Sequence, residues 1–226
     1  MAGLAALQLY SPASFAGNVE DARAYQETPA DRNRFVNSIC DTDNDPTNNG
    51  TIRRIPKTQC EGPAIKPLRD AQSVIKVPYT NFQGEQKTGF LVIPNELTDS
   101  ARTVFEQLQT IGFRINSVIP VSEFNWKDSE SMAADNSSGF NPRCGGEDNY
   151  RVGCGLSKHS SGKAIDFNPV ENPFYTKGRI LPIGAKYITS VMGTVTGQVV
   201  QVLENNGWTN WGGYWNEKDY QHFQHQ

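Results

Sequence analysis

Ser157-Lys158-His159-Ser160-Ser161-Gly162-Lys163-Ala164-Ile165-Asp166 is answered near the C-terminus by Asp219-Tyr220-Gln221-His222-Phe223. The two stretches supply two imidazoles, one carboxylate able to ligate and one left free. That is the inventory of a catalytic zinc site, with three protein ligands, an open position for water and a general base beside it. The chain has three histidines, at 159, 222 and 225, and two of them sit inside these stretches. Lys163 to Phe167 is strand-like, so Asp166 is expected to point from a strand while His159 projects from the preceding turn. Gly162 would permit close backbone approach there, and His222 would come from a terminal strand.

His159, Asp166 and His222 are therefore the expected metal ligands. An imidazole and carboxylate set with one open site suits zinc, one ion per chain, although two histidines and one carboxylate also suit ferrous iron. Asp219, three residues before His222, can stand beside the metal without ligating it and act as general base, then as proton donor to a leaving amine. Glu217 competes for that role from a less favourable spacing. Arg143 is the candidate for holding a developing oxyanion, with Arg151 as the alternative. Ser157 either contacts substrate or caps its turn. Trp208, Trp211 and Trp215 read as packing around Gly212-Gly213, with Trp215 also able to edge a substrate cleft. His225 reads as a tail residue.

At 226 residues the chain can bury one full core, or one core plus an N-terminal extension. Its 21 basic and 24 acidic residues are interspersed, and the absence of a Lys/Arg run gives nucleic-acid binding little support. Mean hydropathy is −0.56, and no apolar run approaches the roughly 18 residues of a membrane span. The start, Met1-Ala-Gly-Leu-Ala-Ala-Leu-Gln-Leu9, lacks a basic region and makes a poor signal peptide. Cys40, Cys60, Cys144 and Cys154 allow three disulfide pairings. Cys144–Cys154 could close a small loop before the histidine stretch and leave Cys40–Cys60 to close another. Disulfides imply an oxidising destination: a secreted, periplasmic or wall-delivered protein, expected as a monomer, with an export route not evident from the sequence.

Residues 1–75 read as an accessory or targeting region, and 76–226 as the metal-bearing domain. Thr28-Pro29-Ala30-Asp31 opens a helix with Phe35, Val36 and Ile39 on one face. Asp41, Asp43 and Asp45 alternate like the start of a calcium loop, but Pro46 and Ile52 stand where such a loop needs Gly and a bidentate Glu. A polar turn is the main reading and a Ca2+ site the lesser one. Ser73–Tyr79 and Thr88–Ile93 read as strands joined at Gly84. Thr98-Asp99 opens a helix ended by Gly112. Ile115–Phe124 is expected as a further strand, and Asn125–Asn141 as an irregular cleft wall. A helix over Thr196–Asn205 precedes a last strand, Tyr220–Gln224. Strands and helices mix without βαβ alternation, which predicts an α+β fold: a small antiparallel sheet flanked by helices around a zinc cleft.

Leu156 to Pro169 with Asn172-Pro173 resembles the SxHxxGxAxD signature of zinc D-alanyl-D-alanine carboxypeptidases and L-alanyl-D-glutamate endopeptidases. Gly207-Trp208, Trp211-Gly-Gly-Tyr-Trp215 and Asp219-Tyr-Gln-His-Phe223 resemble their closing GW…WGGxW…DxxHF motif. Ser131 to Asn136 and Phe140 to Arg143 resemble the upstream segment that carries the family's arginine. The resemblance runs from about Val77 to the end, and nothing matches residues 1–75. It implies that His159, Asp166 and His222 ligate zinc, that Asp219 is the catalytic base and that Arg143 steadies the transition state. It implies cleavage of peptidoglycan stem peptides, by a carboxypeptidase or an endopeptidase, as in cell-wall enzymes, phage endolysins and antibacterial effectors. The signalling domains of hedgehog proteins resemble the same fold and His/Asp/His set without needing peptidase activity. A non-catalytic zinc-binding or wall-binding module is therefore the rival expectation.

Overall fold

The computed structural model describes residues 19–41 and 54–226. Two short helices, α1 (Val19–Ala24) and α2 (Pro29–Phe35), come first, then α3 (Lys57–Cys60) and α4 (Lys66–Asp70). Thr28 caps α2 through a reciprocal pair of bonds with Asp31, as the Thr-Pro-x-Asp order predicts. The long hairpin follows: β1 (Gln72–Thr80) pairs antiparallel with β2 (Gln86–Pro94), in a register that sets Val74 opposite Val92 and Ile75 opposite Leu91.

Both faces of this hairpin are buried, which is why its strands read as apolar runs without clean alternation. Ile75, Val77, Leu91 and Ile93 point into the main core, where they meet Val104, Phe105 and Leu108 of α5 (Thr98–Thr110) together with Phe167 and Phe223. Val74 and Val92, one residue out of phase, point the other way. They join Phe35, Val36, Ile39, Ile55, Ile65, Trp126 and Phe140 in a second core. The N-terminal helices thus pack on the outer face of the hairpin. Cys40–Cys60 is disulfide-bonded within that layer, and Cys144–Cys154 closes the loop before the histidine stretch.

The strand expected over Ile115–Phe124 is realised only as β3 (Ser117–Val118), with a 3-10 turn at Val121–Phe124. The buried side chain of Asn136 explains the break: its Oδ1 accepts from Ile119 N at 2.9 Å and its Nδ2 donates to Ile119 O at 2.8 Å. A side chain therefore takes the bonds a strand partner would make, and Pro120 has no N–H to carry the ladder on. Asn125–Asn141 is not wholly irregular either. It contains α6 (Asp128–Ala133) and β4 (Asn136–Ser137), which runs parallel to β3.

The remaining elements are β5 (Ala164–Asp166), the hairpin β6 (Phe174–Thr176) and β7 (Arg179–Leu181), α7 (Gly197–Asn205), β8 (Asn210–Trp211) and β9 (His222–Gln224). β9 lies between β5 and β8, antiparallel to both. The fold is α+β with small sheets, antiparallel except for the short parallel pair β3–β4. No helix among the described residues is long and apolar enough to cross a membrane. Of the calcium reading, Asp43 and Asp45 lie outside the described residues, as does the N-terminal stretch from Met1 to Leu9.

Candidate metal and active site

Strand pairing builds the site. In the β5–β9 ladder Asp166 is the direct partner of His222, so their side chains emerge side by side on one face. On the other edge of β5, Ser138 bridges Asp166, with backbone bonds of 3.0 and 3.1 Å in the two directions. This carries Gly139 to Arg143 alongside the turn Lys158–Ser161 that holds His159. Asn141 N donates to His159 O at 2.9 Å. Ser160 Oγ accepts from Arg143 N at 3.0 Å and donates to Arg143 O at 2.9 Å. Gly162 ends the turn at φ +71, where a Cβ would also run into the Gln72 side chain. Gln72 itself donates to Ser161 O at 3.1 Å and ties the turn to the long hairpin.

His159, Asp166 and His222 are buried and converge. His159 Nε2 lies 3.1 Å from His222 Nδ1 and 3.1 Å from Asp166 Oδ2, and His222 Nδ1 lies 2.9 Å from Asp166 Oδ1. His159 Nδ1 is 2.7 Å from the Gly139 carbonyl, which can only accept. In the neutral ring the proton therefore sits on Nδ1, and the Nε2 lone pair faces the other two groups. Lone pairs pointing at one centre suit a cation better than they suit each other. Three donors bound tetrahedrally at about 2.0–2.2 Å would stand about 3.3–3.5 Å apart, a few tenths of an ångström beyond the observed spacing. The donor set fits a small divalent ion. Burial opposes ionisation of Asp166, and the two imidazoles override it and hold the carboxyl far below its ordinary range. Burial likewise disfavours the charged form of His159, but the Asp166 carboxylate prevails and raises its pKa.

Asp219 stands where the chain turns into β9: its carbonyl accepts from His222 N at 3.2 Å and its own N–H donates to Gly212 O at 3.1 Å. A Cβ on Gly212 would collide with this turn, so Gly212 is what lets Asp219 sit there, while a Cβ on Gly213 would meet the Trp211 ring. Its carboxylate accepts from Gln221 Nε2 at 3.2 Å. Burial pushes the Asp219 pKa up to about 6; His222 opposes this and Asp166 adds to it.

These groups line one cleft of about 660 Å³, along with Arg143, Ser157, Trp215, Glu217 and Asp128. Arg143 Nη2 is paired with Asp128 Oδ2 at 2.8 Å, and its buried Nε has no hydrogen-bond partner. The alternative arginine, Arg151, is exposed, pairs with Glu147 and does not line the cleft. Ser157 Oγ accepts from His159 N at 3.3 Å, so it does cap the turn, and it also lines the cleft. Glu217 accepts from Thr176 Oγ1 at 2.9 Å and Lys177 N at 3.1 Å, which makes it the anchor of the β6–β7 hairpin. The Trp215 ring lies 5.2 Å from that of His222. Trp208 is fully buried and His225 packs on it, away from the donor set.

Sequence reasoning missed Asp128, Gly139, Gln221 and Gln224. Asp128 sits 15 residues from Arg143 with no spacing rule linking them, and Gly139 contributes only a carbonyl. Gln224 Nε2 lies 3.0 Å from His222 Nε2, one strand residue pair away on the same face; that i+2 relation was the one readable signal.

A family model described as D-alanyl-D-alanine carboxypeptidase matches residues 152–225. The matched segment holds His159, Asp166, Asp219 and His222, covers less than half of the chain and begins after Arg143. No curated protein and no solved structure matches the chain.

Proposed function

We propose that the chain is a zinc-dependent peptidase that hydrolyses peptide bonds in the stem peptides of bacterial peptidoglycan, as a carboxypeptidase or an endopeptidase. The observation that carries the reading is the Asp166–His222 register. It sets two buried donors side by side, where the turn beyond the Ser138 bridge adds His159, in a cleft also lined by Asp219, a carboxylate with only one hydrogen-bond partner among the described residues. The family match over 152–225 supports the peptidase class.

His159, Asp166 and His222 would hold the zinc, which when bound supplies Lewis acidity toward water and the scissile carbonyl. Asp219 takes the proton of the attacking water and passes it to the leaving amine. A carboxyl raised toward neutrality is suited to both halves of that transfer. Arg143 faces the same cleft and stabilises the oxyanion, with Asp128 fixing its guanidinium. Ser157 and Trp215 contact the substrate from the cleft walls. Residues 1–75 remain the proposed accessory region. The two disulfides agree with delivery to the wall or outside the cell.

Digestion of purified peptidoglycan with and without a chelator, followed by mass analysis, tests this. Loss of terminal D-Ala identifies a carboxypeptidase, and new internal termini an endopeptidase. Intact muropeptides from a zinc-loaded chain would favour a non-catalytic metal-binding module instead.

A further inference from the structure

A second hollow, of about 590 Å³, lies against the β6–β7 hairpin and shares Thr176, Lys177, Arg179 and Glu217 with the cleft. The two hollows thus adjoin at the hairpin. The volume is in the range of small-ligand sites, about 300–1,000 Å³.

Three tyrosine rings line the second hollow. Tyr187 and Tyr220 stack at 3.7 Å between centroids and 5° between planes, and Tyr175 meets Tyr220 edge-on at 5.9 Å. The rings are fixed in place: Tyr187 Oη donates to Val195 O at 2.7 Å, and Tyr175 Oη accepts from Tyr187 N at 3.3 Å. A ligand laid on them orders no loose side chain, so little entropy is lost there. Around the rings stand Lys177, Arg179 and Asn216, all exposed. Among the described residues neither Lys177 nor Arg179 has an ion-pair partner. Tyr187 and Tyr220 cover one face of each other, so the hollow is offered outer ring faces and edges, and these, ringed by unengaged donors, suit a ligand with C–H faces and many acceptors on its edges. A pyranose with amide and carboxylate substituents has that character, whereas a wholly apolar ligand would bury these donors unpaired.

We propose that this second hollow is a saccharide subsite, which holds the glycan strand while the attached stem peptide enters the adjoining metal cleft. The inference rests on the peptidase reading for its direction, but the binding itself needs no metal. It assigns specificity: glycan-linked stem peptides are preferred over free ones.

The test titrates an N-acetylglucosamine oligomer into the full, isotopically labelled, chelator-treated chain and follows the resonances of Tyr187 and Asn216 by NMR. Saturable shifts there are expected. Affinity should fall about tenfold in Tyr187→Ala, the order of one lost ring contact. It should also fall in the exposed variant Asn216→Ala and be kept in Tyr187→Phe. The partner experiment compares cleavage of glycan-linked stem peptides with the same peptides freed from sugar, and expects a higher kcat/KM for the former that Asn216→Ala removes. Absence of oligomer binding, or binding unchanged in both alanine variants, overturns the subsite, as does stronger occupation of the same resonances by a free stem peptide. Peptide cleavage with no sugar preference would sink the subsite and leave the peptidase reading intact. Oligomer binding without any cleavage would do the reverse.

Discussion

The Nδ1–H of His159 donates to the Gly139 carbonyl at 2.7 Å, and this one bond decides which ring nitrogen faces Asp166 and His222. Gly139 lies one residue beyond the Ser138–Asp166 bridge, so the pairing that positions the carboxylate also orients the imidazole. A ring held this way binds a cation without first choosing a tautomer.

If these three residues are the ligands, zinc should stabilise the fold, because the metal binds the native site far better than the unfolded chain. An excess of about a hundredfold over Kd is worth about 2.7 kcal/mol. His159→Gln and Asp166→Asn should each abolish the zinc-dependent rise in Tm and the bound metal measured by elemental analysis. Retained stoichiometric zinc in both variants would rule out this donor set.

Asp219 gives a second expectation, in which its charge state sets the rate. Its folded pKa is raised to about 6, so activity should climb as pH rises through that region, where the carboxylate becomes able to accept a proton. A bound cation lowers the inflection further, so it should fall at or below pH 6 in the loaded protein. Asp219→Asn should cost at least about a hundredfold in kcat with metal content unchanged. The linkage sign points the other way for stability. A carboxyl raised in the native state contributes fully below about 3.9 and loses that contribution as pH passes 6, so the Asn variant should be the more stable of the two at pH 8 by thermal melting.

The convergence of His159, Asp166 and His222 was legible because histidine is rare in this chain and because Asp166 and His222 become neighbours once their strands pair. The hairpin at Gly84 and the capped helix at Thr28 were legible from local turn and cap chemistry; α5 was legible from the helical spacing of Ala101, Val104, Phe105 and Leu108, since Leu97 precedes it with no side-chain cap bond and Thr98 is its first residue rather than its cap. The strand predicted over Ile115–Phe124 failed because Asn136, a residue distant in sequence, occupies the backbone of Ile119. Helix α6 has no side-chain cap bond at Lys127 and so left no start signal. The Arg143–Asp128 pair was invisible for the related reason that tertiary ion pairs carry no period.

That pair supports a third expectation. Arg143 and Asp128 are both largely buried, with side chains 9% and 14% exposed, so Asp128→Asn would leave the guanidinium with a weaker partner in a poorly hydrated place. A loss of about 1.5–3 kcal/mol in urea unfolding is expected. Turnover should drop while zinc content holds, through a fall in kcat rather than a rise in KM, because the proposed oxyanion contact forms only in the transition state. An unchanged kcat in a folded Asp128→Asn protein would remove Arg143 from the chemistry.

The last expectation lies outside the cleft, at Asp135 and Glu171. Asp135 is buried, accepts from Val170 N at 3.0 Å and shares a side-chain hydrogen bond with Glu171. Burial pushes Glu171 up to about 7, and the charge of Asp135 pushes in the same direction; burial also raises Asp135. The native state therefore holds a proton here that the unfolded chain has released by about pH 5. Stability from this pair is complete below about 4.3, the ordinary Glu value, and is lost as pH rises through 7. Glu171→Gln keeps the shape and removes the charge, so its thermal melting should exceed that of the parent at pH 8 and match it near pH 4. Equal melting temperatures at both pH values would mean that the two carboxyls do not interact in solution as their positions require.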